Sequence, residues 1–164
     1  MSTKTVFTIL GMLLLIPLAL NMQQSSANAA AFASSATGSG SFLFSGEEYA
    51  FSFSATVNSG TSSGKGTAQF DNLSAQTSVS VKLNCVKLSG AEVVMSGKVV
   101  DTTDPDYPKN SNVVFGAIDG ALSPIPFSAD RITPLFVRNP GINCNDGLPI
   151  PQLIPEEGGV VITP

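Results

Sequence analysis

The chain has 164 residues, no histidine, two cysteines, and twelve acidic against eight basic side chains, a net charge of −4. That length suits one domain with a single hydrophobic core. Without histidine there is no Ser–His pair and no usual general base, and two cysteines alone cannot complete a zinc tetrad. An acidic chain with no basic run repels phosphate backbones, which argues against nucleic acid as a partner.

Lys4 precedes an apolar run from Val6 to Leu20, then a polar stretch from Asn21 to Ser26, then the small triplet Ala27-Asn28-Ala29. This order predicts a secretory signal peptide over residues 1–29, cut after Ala29. Left uncut, it would act as an N-terminal membrane anchor. The apolar run, at about 15 residues, falls short of the ~20 that span a bilayer, and Pro17 interrupts it. Cleavage leaves residues 30–164, which hold seven basic and twelve acidic side chains, a net charge of −5. The expected location is secreted, outside the cytoplasm.

Residues 30–37 are small and polar and read as a flexible leader; residues 38–164 read as one all-β domain. Ser39 to Ser45 alternates weakly as a first strand, and Ser45-Gly46-Glu47 turns the chain. Tyr49, Phe51, Phe53, Ala55 and Val57 then alternate with Ala50, Ser52, Ser54 and Thr56, the clearest strand in the sequence, with one buried and one wet face. After the loop 58–64, Gly66 to Phe70 reads as the return arm of a hairpin. Val79, Val81, Leu83 and Cys85 alternate with Ser80, Lys82 and Asn84, which puts Cys85 on the apolar face. Ala91, Val93, Met95 and Val99 form the next strand after the Ser89-Gly90 turn.

Residues 101–111 are turn-rich. Val113 to Ile118 is apolar enough to be buried on both sides. Ser123 to Phe127 reads as a loop, and Ile132 to Val137 as an edge strand because Pro134 donates no ladder hydrogen bond. Leu148 to Pro155 reads as extended and irregular, and Val160 to Ile162 as a last short strand. About eight strands with no helical pattern predict an antiparallel β-sandwich or a small β-barrel. Export takes Cys85 and Cys144 into an oxidising place, where one disulfide is the natural reading and two free buried thiols the alternative.

The order of features resembles a group of small secreted all-β bacterial and archaeal proteins to which no activity is assigned. The pattern runs through Gly38-Ser39-Gly40, Phe51-Ser52-Phe53-Ser54-Ala55, Cys85, Asp119-Gly120, Asp130-Arg131-Ile132, Cys144 and Leu148-Pro149-Ile150-Pro151. It departs at Gly120-Ala121, where those proteins flank the glycine with Asn and Glu. The resemblance implies a shared fold and a Cys85–Cys144 bridge, and no activity.

Motifs that spell chemistry are few. Ser62-Ser63-Gly64-Lys65 reads S-x-x-K but falls in a glycine-rich loop rather than opening a helix. Glu47-Glu48 and Glu156-Glu157 are paired carboxylates, yet neighbours on a strand point to opposite faces. Asp101, Asp104 and Asp106 share one loop and are weak candidates for a calcium site, against an ordinary Asp/Pro turn. Asn72-Leu73-Ser74 spells a glycosylation sequon. Asp119 and Asp130 are the only nominees for a carboxylate hydrolase.

No catalytic residue, metal or cofactor is expected. The expected function is a non-enzymatic extracellular or cell-surface structural or interaction module, whose partners would be cell-surface components or further copies of itself. Self-association would use the segment from Ala30 to Ser41 as an added strand on a neighbour's sheet edge. The alternative is a β-barrel binding a small apolar ligand in a cavity lined by Phe51, Phe53, Phe70, Val79 and Val81.

Overall fold

Alternating apolar and hydroxyl side chains, separated by Gly, Asn and Ser turns, commit this chain to antiparallel hairpins. The computed structural model describes residues 34–57, 64–123, 129–138, 144–146 and 153–163. The signal segment 1–29 and the 123–127 loop beyond Ser123 lie outside these residues, as do positions 148–152. The strands are β1 (Ser34–Phe44), β2 (Glu47–Val57), β3 (Gly64–Asn72), β4 (Thr77–Ser89), β5 (Glu92–Thr102), β6 (Asn112–Ile118), β7 (Arg131–Ile132), β8 (Phe136–Arg138) and β9 (Glu157–Thr163). One 3-10 turn, Gly120–Leu122, follows β6.

They form one antiparallel sheet in the order β7-β6-β5-β4-β3-β2-β1-β9, with β8 also on β6, and the sheet curls nearly into a closed barrel. Of the two architectures the pattern allowed, the barrel is the one adopted. The first six strands are consecutive hairpin neighbours; β9 returns to lie against β1.

Five phenylalanines dominate the interior: Phe42, Phe51, Phe53, Phe70 and Phe115, each buried. Phe115 sits edge-on to Phe53 and Phe70 at centroid distances of 5.9 and 5.0 Å, the geometry the ring quadrupole favours. Ala36, Ala55 and Ala68 alternate with these large side chains, and Val79, Val81, Leu83, Val93, Met95 and Val99 complete the wall. The curl is tight at Leu83, which pairs with Gly66 on one side and Gly97 on the other. A Cβ on Gly66 would strike the Ser54 carbonyl, and one on Gly97 the Lys82 carbonyl. Glycine here permits close approach of neighbouring backbones.

The β4–β5 register shifts between Leu83 and Cys85. Asn84 is the extra residue of a bulge, so strict alternation fails there. Leu83 and Val86 both face the core, and Cys85 faces outward beside Ser96. The expected placement of Cys85 on the inner face is thus corrected. It bonds Cys144 over 59 residues of sequence, on the outside of the sheet, within a satellite cluster of Val94, Val114 and Phe136. This cluster is why Val113 to Ala117 are buried on both sides.

Two further expectations change. Within the expected leader, residues 30–37, Ser34 to Thr37 belong to β1: Ser34 pairs with β2, and Ser35 to Thr37 pair with both β2 and β9; positions 30–33 lie outside the described residues. Since β1 already has a partner on each edge, residues 34–41 are not free to extend a neighbour's sheet. The single edge strand over Ile132 to Val137 is in fact two pieces. Thr133, fully buried, breaks the run: its hydroxyl accepts from Gly116 N–H and donates to the Pro134 carbonyl.

The barrel's last gap is closed by side chains. Asp119 accepts from Ala121 N–H with one carboxylate oxygen and from Ile162 N–H with the other, both at 2.9 Å. Asp130 likewise accepts from Gly120 N–H and Val160 N–H, both at 2.7 Å. Both β9 donors, the N–H groups of Val160 and Ile162, lie on the edge that β1 does not use, so two carboxylates satisfy donors that a further strand would otherwise take.

Candidate functional site

The outer face of β2, β3 and β4 forms a broad open groove of about 930 Å³. Strand alternation places Ser52, Ser54 and Thr56 of β2, Lys65, Thr67 and Gln69 of β3, and Ser80 and Lys82 of β4 along it. Register then aligns these side chains in rows. Ser54 lies opposite Thr67, Thr67 opposite Lys82, and Lys82 opposite Lys98. Ser52 lies opposite Gln69, Gln69 opposite Ser80, and Ser80 opposite Asp101. On the other flank, β1 adds Thr37 opposite Ser54 and Ser39 opposite Ser52. The result is a continuous sheet of hydroxyls that turns cationic toward β5.

One side chain in the groove has its orientation fixed. Gln69 donates its amide to Asp71 at 2.7 Å and accepts from the Ser80 hydroxyl at 2.6 Å. Lys65, Lys82 and Lys98 are all exposed. Lys82 directly faces Lys98, a like-charge cross-strand pair that costs stability when nothing bridges it.

A second polar cluster occupies one mouth of the barrel. Glu47 accepts from the Tyr49 hydroxyl and from the Asn72 amide, each at 2.8 Å. Burial, and then the Glu47 carboxylate, push the Tyr49 phenol up to about 12. Tyr107 donates to the Leu135 carbonyl at 2.8 Å; burial, followed by Asp104 and Asp106, raises its phenol as well. Phe70, Val79 and Tyr107 border a cavity there of about 40 Å³. That is room for a few waters, against the ~300–1,000 Å³ of small-molecule pockets. Phe51, Phe53 and Val81, nominated with Phe70 and Val79 as a cavity lining, pack into the core.

The remaining candidates resolve as follows. Asp101, Asp104 and Asp106 do not converge, and no group of three or more His, Cys, Asp or Glu is placed to hold a metal among the described residues. Asp101 lies in β5 rather than in the loop. Asp104 accepts from Thr77 and from Asp106 N–H, which makes it an organiser of its own turn. Asn72 is buried and its Nδ2, the atom a glycan would take, donates to Glu47 and Tyr49; the sequon is therefore blocked in the folded state. Of the S-x-x-K spelling, Gly64 and Lys65 open β3, and Ser62 and Ser63 lie outside the described residues. Glu156 and Glu157 are exposed, while Glu47 is bound up at the mouth. Asp119 and Asp130 are spent on backbone donors at the barrel seam.

The groove was not singled out from the sequence. Its signal was present in the wet positions of three strands, but only register shows that Lys82 meets Lys98. Compared with family models, curated proteins and solved structures, the chain matches none.

Proposed function

We propose that this protein is an exported, non-catalytic module of the cell exterior, structural or adhesive, which meets its partner through the outer face of β1 to β4. The observation that supports this reading best is a filled, disulfide-braced barrel carrying an unbroken hydroxyl-rich outer face. The disulfide suits an oxidising compartment, and no helix among the described residues is long and apolar enough to cross a membrane. The absence of histidine, and the commitment of Asp119 and Asp130 to backbone donors, weigh against hydrolysis.

Fractionation of the native host with intact-mass analysis tests the reading. The expected result is a chain beginning at residue 30 in the medium or on the cell surface, two mass units lighter than its reduced form for the one disulfide, about 2 Da. Recovery of the uncut chain from the cytosol would overturn it.

A further inference from the structure

We infer that the cationic end of the outer groove binds an anionic polysaccharide. The inference rests on the exterior location and non-catalytic role proposed above, and adds the chemical class of the partner.

Three lysines converge there by register. Lys82 on β4 faces Lys98 on β5 directly, and Lys65 on β3 lies one pleat along from Thr67, the residue opposite Lys82. Directly opposed side chains on a sheet stand about 5 Å apart and diagonal ones about 7–8 Å. Three exposed lysines therefore rise from neighbouring positions on one face of β3, β4 and β5. None of them makes a hydrogen bond or ion pair among the described residues, even though the chain has more acidic than basic groups to offer. One carboxylate borders the patch: Asp101, opposite Ser80, stands diagonal to Lys82 as Lys65 does, so three cationic side chains meet a single acidic one. A concentration of positive charge on a net-acidic protein, with a like-charge pair left unbridged, is complementary to an anion supplied from outside.

The surroundings define what kind of anion. Thr67, Ser54 and Thr56 offer hydroxyls that both donate and accept, Ser80 offers acceptor lone pairs, and Gln69 is already oriented by Asp71 and Ser80. Such groups match the ring hydroxyls of a sugar chain, while the lysines match its carboxylates. Nucleic acid is the poorer fit: among the described residues the groove lining holds no arginine, Arg138 lying two strands beyond Lys98 in the same row, and the one aromatic ring in that lining, Phe53, is buried in the core and offers no platform for stacking bases. The groove is open rather than enclosed, which suits an extended polymer lying across strands.

The test uses the disulfide-bonded protein from residue 30 onward and three probes, each at rising ionic strength: polygalacturonate, neutral dextran of matched length, and single-stranded oligothymidine. Calorimetric titration should show polygalacturonate binding that weakens with salt, as screening of exposed charges requires, and no dextran binding. Lys82→Gln with Lys98→Gln should weaken polygalacturonate on the order of tenfold or more, about 1.4 kcal/mol per decade. The double variant should melt at or above the wild-type temperature, because the repulsive pair is gone; this separates lost binding from lost fold. Equal binding by wild type and double variant overturns the assignment, as does no polygalacturonate binding at all. Tighter binding of oligothymidine than of polygalacturonate overturns it in favour of nucleic acid. Any of these failures, with the protein still found outside the cell, removes the ligand class and leaves the proposed role; recovery in the cytosol removes the role itself.

Discussion

Phe115 stands at the centre of the aromatic interior, fully buried and edge-on to two other rings. Phe115→Ala should cost on the order of 3–5 kcal/mol, transfer plus cavity, and urea denaturation would read the loss; a change below about 1 kcal/mol would mean that the cavity collapses without harm. Tyr49 predicts a pH response. Its phenol is held near 12 by burial and by Glu47, above the ordinary value of 10.0. The unfolded chain thus releases this proton first, so the stability that Tyr49 contributes is intact below pH 10 and lost as pH rises through about 12. Ultraviolet titration should show both tyrosines, Tyr49 and Tyr107, ionising later than a free phenol, and Tyr49→Phe should flatten the fall in melting temperature over that window. Individual facings were legible in the sequence wherever alternation was strict, as for Phe51, Phe53 and Val81. They failed at Cys85, because a one-residue bulge reverses every side chain beyond it and no local residue preference announces Asn84 as the extra position.

At the level of strands, the hairpins from β1 to β6 followed from alternation and turn residues. The edge was harder to read. β7 and β8 are too short for periodicity, and what interrupts them, Thr133 bonded to Gly116, is a contact between residues 17 positions apart. The start of β1 was missed for another reason: Ser34, Ser35 and Thr37 look like a leader by composition, and only pairing with β2 and β9 makes them strand. The seam yields a direct prediction. Asp119→Ala leaves the buried Ile162 N–H without an acceptor, at a cost of roughly 1–3 kcal/mol. Hydrogen exchange should quicken at Val160 and Ile162 while the amides of β3 and β4 keep their protection. Uniform acceleration across the sheet would show that the seam does not open on its own.

For the molecule as a whole, the disulfide braces the outside of a cylinder whose inside is already packed. Closing a loop of this length contributes about 4 kcal/mol in the chain-entropy account. Reduction should therefore lower the melting temperature and yet leave the far-ultraviolet circular dichroism of a β protein at room temperature. Collapse to a disordered spectrum on reduction alone would mean that the phenylalanine interior cannot hold the sheet together. All-β class and a single domain's worth of core were readable from composition, since they depend on sums over many residues. Barrel closure was not, because it depends on two glycines flanking Leu83 and on carboxylates meeting β9 from far along the chain.

The β1–β9 ladder also sets a timetable. Ser35 to Ser41 find their second neighbour only in Glu157 to Thr163, more than a hundred positions later, and contacts of such long range form slowly. A polypeptide delivered N-terminus first therefore keeps an unfinished rim until nearly all of it has arrived.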